Sequence, residues 1–346
     1  MTLDTLNKRE QAILKLLIEH YVSTAEPVGS RVLAQKYPIG LSPATIRNTM
    51  QDLEEMGLVR QPHTSAGRIP TDKGYRTFVD RLLKREPISG KDAEVLREQI
   101  AADSSLAVED LFEKTTRVLA SISRQLGVTL APRFDEGILS HIELIPVAEN
   151  KILLIIMVKS GLARTLLVEV DVNLKDTVIE RTAQVLNERL AGLTIGELHR
   201  DLKERVRDLS GVDARLIRMF VDASDTLLGA AGPETLKLEG TINLVGKPEF
   251  QDPDRLAGLI RMLEERSSLI ELLQKKGIGE GIIITIGKEI QLSAAEPCAM
   301  VTSPYKAGRV SGTIGIIGPK RMDYARLVTL VETTARLLTR QLKKMF

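Results

Sequence analysis

Tryptophan is absent from this 346-residue chain, aromatic residues make up 3% of it, and a single cysteine occurs. So few aromatics argue against single-strand or RNA modules, which stack bases on aromatic platforms. One cysteine, Cys298, excludes an intramolecular disulfide and any cysteine-cluster metal site. Its neighbours Ala299, Met300 and Val301 are apolar, the setting of a buried, inert thiol. The four histidines, His20, His63, His141 and His199, are scattered and have no neighbouring metal-ligand partners. No stretch approaches about 18 consecutive apolar residues, and residues 1–11 lack the basic-then-apolar pattern of a signal peptide. No membrane association is expected, and the cytoplasm is the expected compartment. Walker, His-Glu-x-x-His and Ser-His-Asp patterns are missing, and the glycines at 277, 279 and 281 precede a strand pattern, so they read as a turn. No enzyme and no cofactor is indicated.

The formal net charge is only +2, so any nucleic-acid surface must be local. It is found at the N-terminal end. Residues 60–85 hold seven basic side chains (Arg60, Arg68, Lys73, Arg76, Arg81, Lys84, Arg85) against Asp72 and Asp80, a local +5. Just upstream, Ser42 suits an N-cap, Pro43 the first helical position and Gly57 a helix stop. Between them Ile46, Met50 and Leu53 form one apolar helix face. The other face carries Thr45, Arg47, Asn48 and Gln51, side chains able to bond base edges and phosphates. Asp52, Glu54 and Glu55 fall in the C-terminal half, away from a groove entered N-terminus first. Leu58-Val59, a turn rich in small residues and a return through Arg68-Ile69 read as a hairpin.

Two helices precede this unit. Asn7 and Glu10 make a capping box for the first, with Ala12, Ile13, Leu16 and Leu17 inward. The second, over 28–37, begins with Gly29-Ser30-Arg31, whose backbone N–H groups and hydroxyl suit a phosphate. Three helices and a hairpin give the order of a winged helix-turn-helix, and so a DNA-binding protein.

Downstream, a breaker cluster at 86–90 marks a boundary. An amphipathic helix spans about 105–126 and is closed by Gly127. From 137 the period is that of strands, with 152–158 a continuous apolar run fit for a strand buried on both faces. A helical interlude follows, with one extended piece over 236–245. Strand patterns resume near 281–286, 299–302 and 310–317, and a final helix covers about 323–342. Strands at both ends of a helical interlude suggest one α/β domain interrupted over 193–277. The interrupting lobe is small for a core of its own, which suggests self-association.

The run Glu26-Pro27-Val28-Gly29-Ser30, the helix 42–57 and above all 63–76 (HTSAGRIPTDKGYR) closely resemble the bacterial heat-inducible transcription repressor family HrcA. Gly240-Thr241-Ile242-Asn243-Leu244, Pro248-Glu249-Phe250 and Gly312–Pro319 with Arg321, Met322 and Tyr324 carry the likeness along the whole chain. The resemblance implies an α+β multidomain protein. It would have a winged helix (1–86), a GAF-like domain in two parts (87–192 with linker helices, and 278–346) and an inserted dimerising domain (193–277). It also implies a homodimeric repressor of chaperone operons, binding an inverted-repeat operator in double-stranded DNA and dependent on a GroEL-type chaperonin. Arg47 and Asn48 are the candidates for base edges, since Arg suits guanine and Asn adenine, with Thr45 and Gln51 assisting. Ser30, Arg31, Ser42, Arg60, His63, Ser65, Gly67 and Arg68 are candidates for the backbone or minor groove. The alternative is a small-molecule-gated winged-helix regulator sensing through the GAF-like domain.

Overall fold

The computed structural model describes residues 6–101, 107–170, 174–210, 212–228, 236–276, 281–308 and 310–345. Helix α1 (Lys8–Thr24) begins on the expected capping box: Asn7 accepts from the Glu10 N–H, and Glu10 accepts from the Asn7 N–H at 2.9 Å. Its buried face is Ile13, Leu14, Leu17 and Ile18, while Ala12 is exposed. Apolar residues crowd this helix on more than one side, and the larger Ile18 takes the burial expected of Ala12. Helices α2 (Ser30–Lys36) and α3 (Pro43–Glu55) close over α1 through Leu33, Ile46 and Leu53, all fully buried. Strands β1 (Val59–Arg60) and β2 (Ile69–Pro70) pair antiparallel, and α4 (Asp72–Thr77) runs on as a π-helical turn over Phe78–Leu82.

Helices α5 (Gly90–Ala101) and α6 (Val108–Ser123) follow. The α6 stripe Val108, Leu111, Phe112, Thr115, Val118 and Leu119 is buried as its spacing requires. The helix stops earlier than expected, at Arg124 in the left-handed region (φ 53°), and Leu126–Leu130 forms strand β3. All five of those residues are buried. With no polar alternation, a strand covered on both faces cannot be told by period from the end of an apolar helix.

β3 lies inside a five-stranded antiparallel sheet of order β7-β3-β10-β9-β8. The other members are β7 (Leu236–Glu239), β8 (Ile283–Ile286), β9 (Cys298–Ala307) and β10 (Val310–Pro319). One face, with Val301, Ile314 and Ile316, belongs to the core that includes α6 and the last helix, α13 (Tyr324–Met345). The other face presents Leu126, Val128, Met300 and Ile317 to α10 (Ile242–Val245), α11 (Pro253–Glu264) and α12 (Arg266–Lys276). Cys298 is fully buried in this second core. Burial pushes its thiol up to about 12.

A second, three-stranded antiparallel sheet contains β4 (Leu139–Ala148), β5 (Lys151–Val158) and β6 (Ala163–Glu169). It packs against α7 (Asp176–Leu190) and α9 (Ala214–Leu228), with α8 (Ile195–Arg205) beside α9. The run 152–158 is not buried on both faces. Ile152, Leu154, Ile156 and Val158 are buried, whereas Leu153, Ile155 and Met157 remain half-exposed. The interruption of the larger sheet also differs from the expected 193–277. The chain leaves that sheet after Leu130 and rejoins it at Leu236, so residues 236–276 supply it with a strand and covering helices. Among the described residues no helix is long and apolar enough to cross a membrane, and no cluster of three or more His, Cys, Asp or Glu could hold a metal ion.

Candidate nucleic-acid interface

Helix α3 is built to present its N-terminal half. The Ser42 hydroxyl oxygen accepts from the Thr45 N–H at 3.1 Å and lies 2.9 Å from the Thr45 hydroxyl. Ile46, Met50 and Leu53 point into the core, which turns Arg47, Asn48 and Gln51 outward, where they are exposed. Arg47 and Asn48 have no side-chain hydrogen bond or ion pair among the described residues. Both are free to meet an external partner. Gln51 reaches only a weak contact with Glu55, at 3.4 Å.

The wing is held in shape by two residues to which the sequence assigned no bracing role, Gln61 and Glu54. Gln61 donates from its side-chain amide to the carbonyls of Thr64 and Ala66, both at 2.9 Å, and so closes the turn. His63, Thr64 and Ser65 are left exposed at the tip. Glu54, at the end of α3, accepts from the Gln61 N–H at 2.9 Å and from Arg68 at 2.8 Å, tying the wing to the helix. A second tie runs through the backbone, where Val28 and Arg68 exchange two hydrogen bonds of 2.9 Å. A Cβ on Gly67 would sit 2.4 Å from the Val28 carbonyl, so only glycine permits this approach. Gly74 is under the same constraint, its Cβ falling 2.0 Å from the Leu58 carbonyl oxygen.

Measured against the expected contacts, Ser42, Thr45, Arg47, Asn48 and Gln51 lie together on α3, and His63 and Ser65 sit at the tip of the attached wing. Arg31 is exposed on the first turn of α2. Three residues differ from expectation. Ser30 is only 8% exposed, so its hydroxyl is packed inward. Arg68 is engaged by Glu54, with its Nε buried. Arg60 faces a cleft against the C-terminal half, alongside Tyr21, Glu249 and Arg321. Gly67 is a packing requirement of the wing. Arg68 and Arg60 could not be sorted from the sequence because their neighbours are chosen by tertiary packing.

The winged helix is fastened to the rest of the chain mainly through α4. Arg76 makes a two-pronged contact to Glu289, at 2.9 and 2.6 Å, and donates to the Ile284 carbonyl at 2.6 Å. Asp72 pairs with Lys320 and accepts from the Lys288 N–H at 3.2 Å. Arg321 pairs with Glu249 and reaches the Val22 carbonyl at 3.5 Å. The ring of Tyr75 lies 6.2 Å from that of Tyr324.

A three-helix unit with a capped, polar-faced third helix and a wing braced against it defines a winged-helix DNA-binding protein. Residues 5–82 match the family model described as winged helix-turn-helix transcription repressor, HrcA DNA-binding, and residues 109–328 match that of the HrcA protein C terminal domain. The chain belongs to the HrcA family of transcription repressors. It is 36% identical to a heat-inducible transcription repressor HrcA of Chlorobium phaeobacteroides, covering 99% of this chain and 100% of that one. It is 37% identical to one of Geobacter sulfurreducens, over 98% of each. A crystal structure of a hypothetical protein shares the fold, with a TM-score of 0.64 at 23% identity, covering 99% of this chain and 100% of that one.

Proposed function

We propose that this chain is a heat-inducible repressor that binds an inverted-repeat operator of chaperone genes as a homodimer. The observation that carries the reading is α3, whose Arg47, Asn48 and Gln51 stand exposed beside a braced wing. In this reading two such helices enter successive major grooves, and the two-fold axis of the dimer matches that of the operator. Arg47 and Asn48 read bases, Thr45 and Gln51 assist, and Arg31, Ser42, His63 and Ser65 hold the phosphate backbone.

The segment between Leu130 and Leu236 is the inserted dimerising lobe, and the five-stranded sheet with its two helical layers is the GAF-like domain. An apolar row on the outer face of the three-stranded sheet supports self-association. Ile145 lies opposite Leu153, and Leu153 opposite Leu167; Ile145 is 39% and Leu167 53% exposed. A GroEL-type chaperonin keeps the repressor in its competent fold, and heat depopulates that fold, so stress that occupies the chaperonin relieves repression. The protein works in the cytoplasm without a cofactor.

Titration of fluorescent promoter DNA carrying the inverted repeat, at two salt concentrations and with or without chaperonin, tests the reading. Operator-specific binding restored by chaperonin after mild heating is expected. Binding indifferent to both the repeat and the chaperonin would overturn the assignment to chaperone operons.

A further inference from the structure

Between the winged helix and the C-terminal half lies an open cleft of about 750 Å³, within the size range of small-molecule sites. Its walls come from α4 and the hairpin on one side, and from residues 249–255, 288–297 and 320–321 on the other. Six cations line it: Arg60, Lys73, Arg255, Lys288, Lys320 and Arg321. Only three carboxylates do so, Asp72, Glu249 and Glu296. Each carboxylate is already engaged, Asp72 by Lys320, Glu249 by Arg321 and Glu296 by Lys288 at 3.9 Å. Lys73 uses one donor on the Met56 carbonyl at 2.7 Å and has more to give. Arg60 and Arg255 have no side-chain hydrogen bond or ion pair among the described residues. The cleft therefore holds an uncompensated excess of three positive charges.

A second observation points the same way. Tyr75, only 2% exposed, is among the residues lining the cleft, and its buried hydroxyl has no hydrogen-bond partner among the described residues. A buried hydroxyl left unpaired is costly, and such exceptions in a folded protein call for an explanation. A ligand oxygen would satisfy it. Apolar surface from Ile69 and Pro70 gives the same cleft a wall on which the uncharged part of a ligand can rest.

We infer that this cleft is a binding site for a phosphorylated small molecule. Phosphate oxygens supply several acceptors and negative charge together, which suits converging Arg, Lys and Tyr donors better than a single carboxylate does. The ligand would touch both halves of the chain, so its binding would alter how firmly α4 is held and hence how the reading helix is presented. The site stands apart from α3, and its occupation does not depend on the operator assignment.

Calorimetry and thermal melting of the full-length protein with inorganic pyrophosphate, against sulfate at matched ionic strength, provide the test. Saturable binding and a rise in Tm of several degrees are expected. Arg255→Gln with Lys288→Gln should weaken binding at least tenfold with the fold unchanged by circular dichroism. Tyr75→Phe should weaken it several-fold while leaving the unliganded Tm equal or higher. Absence of saturable binding at millimolar pyrophosphate, or binding insensitive to all three changes, would overturn the inference. The phosphate could instead be that of DNA. In that case Arg255→Gln with Lys288→Gln would flatten the salt dependence of operator binding while pyrophosphate finds no site, which equally refutes a small-molecule pocket. Operator binding by the unliganded wild type reports separately on the repressor reading.

Discussion

Arg68 separates two roles that its sequence position leaves mixed, phosphate contact and brace. Its guanidinium lies 2.8 Å from Glu54, with side-chain exposures of 20% and 32% for the two partners. An exposed ion pair is worth about 0–1 kcal/mol and a hydrogen bond to a charged group about 1.5–3 kcal/mol. Partial exposure puts this pair between them, at about 1–2 kcal/mol. Arg68→Ala would also leave the Glu54 carboxylate with the Gln61 N–H as its remaining partner. In a winged helix that unfolds as its own unit, about 4–8 °C of Tm follows each kcal/mol. The variant should therefore lose about 4–16 °C in the N-terminal transition.

A brace further requires that Glu54→Ala cost a similar amount and that the double variant cost little more than either single one, a coupling of about 1–2 kcal/mol. DNA binding discriminates independently. A lost phosphate contact reduces the slope of log affinity against log salt by about 0.9, whereas a lost brace weakens binding with the slope unchanged. Thermal melting of the three variants, with operator titrations at four salt concentrations, gives both readouts. Arg68→Ala with an unaltered Tm and a slope shallower by about 0.9 for each protomer bound would refute the brace and restore the phosphate contact.

Arg47→Ala should cost about 1–3 kcal/mol on the operator, relax discrimination at one base position and leave Tm unchanged; equal losses on operator and scrambled DNA would count against base reading. Gly74→Ala forces a Cβ to within 2.0 Å of the Leu58 carbonyl oxygen, so a loss of about 2–4 kcal/mol in urea unfolding is expected, and wild-type stability would show that the hairpin gives way. Cys298, whose thiol burial pushes up to about 12, should resist a thiol reagent at pH 8 until the chain is unfolded. Because the folded thiol holds its proton more tightly than the unfolded one, its contribution to stability is complete below about pH 9 and is lost as pH rises towards 12; a melting temperature indifferent to this rise in wild type relative to Cys298→Ala would contradict it.

Elements with local causes were legible in the sequence. The Asn7–Glu10 box and the Ser42 cap satisfy helix-end donors three residues away, and the α6 stripe repeats at the helical period. Strand β3 was not legible, because five buried residues directly after an apolar helix carry no alternation to announce a change of period. The place where the larger sheet is interrupted was hidden for a related reason. β7 is four residues long, and only its pairing with β3, more than a hundred positions away, makes it part of that sheet.

Charge was the least transferable signal. The local +5 over residues 60–85 suggested a basic surface beside the wing, yet at least four of its seven cations already hold a partner within the protein. Arg68 goes to Glu54, Lys73 to the Met56 carbonyl, Arg76 to Glu289 and Arg85 to Glu332. A sum along the chain cannot distinguish a cation that faces DNA from one that fastens two halves of a molecule together. The phosphate contacts then fall to exposed cations near the reading helix, of which Arg31 on α2 is the clearest. Arg31→Gln should flatten the salt slope of operator binding by about 0.9 for each protomer bound, whereas Lys73→Gln should leave it unchanged. The opposite ranking would mean that the charge excess on α4, and not the start of α2, follows the DNA backbone.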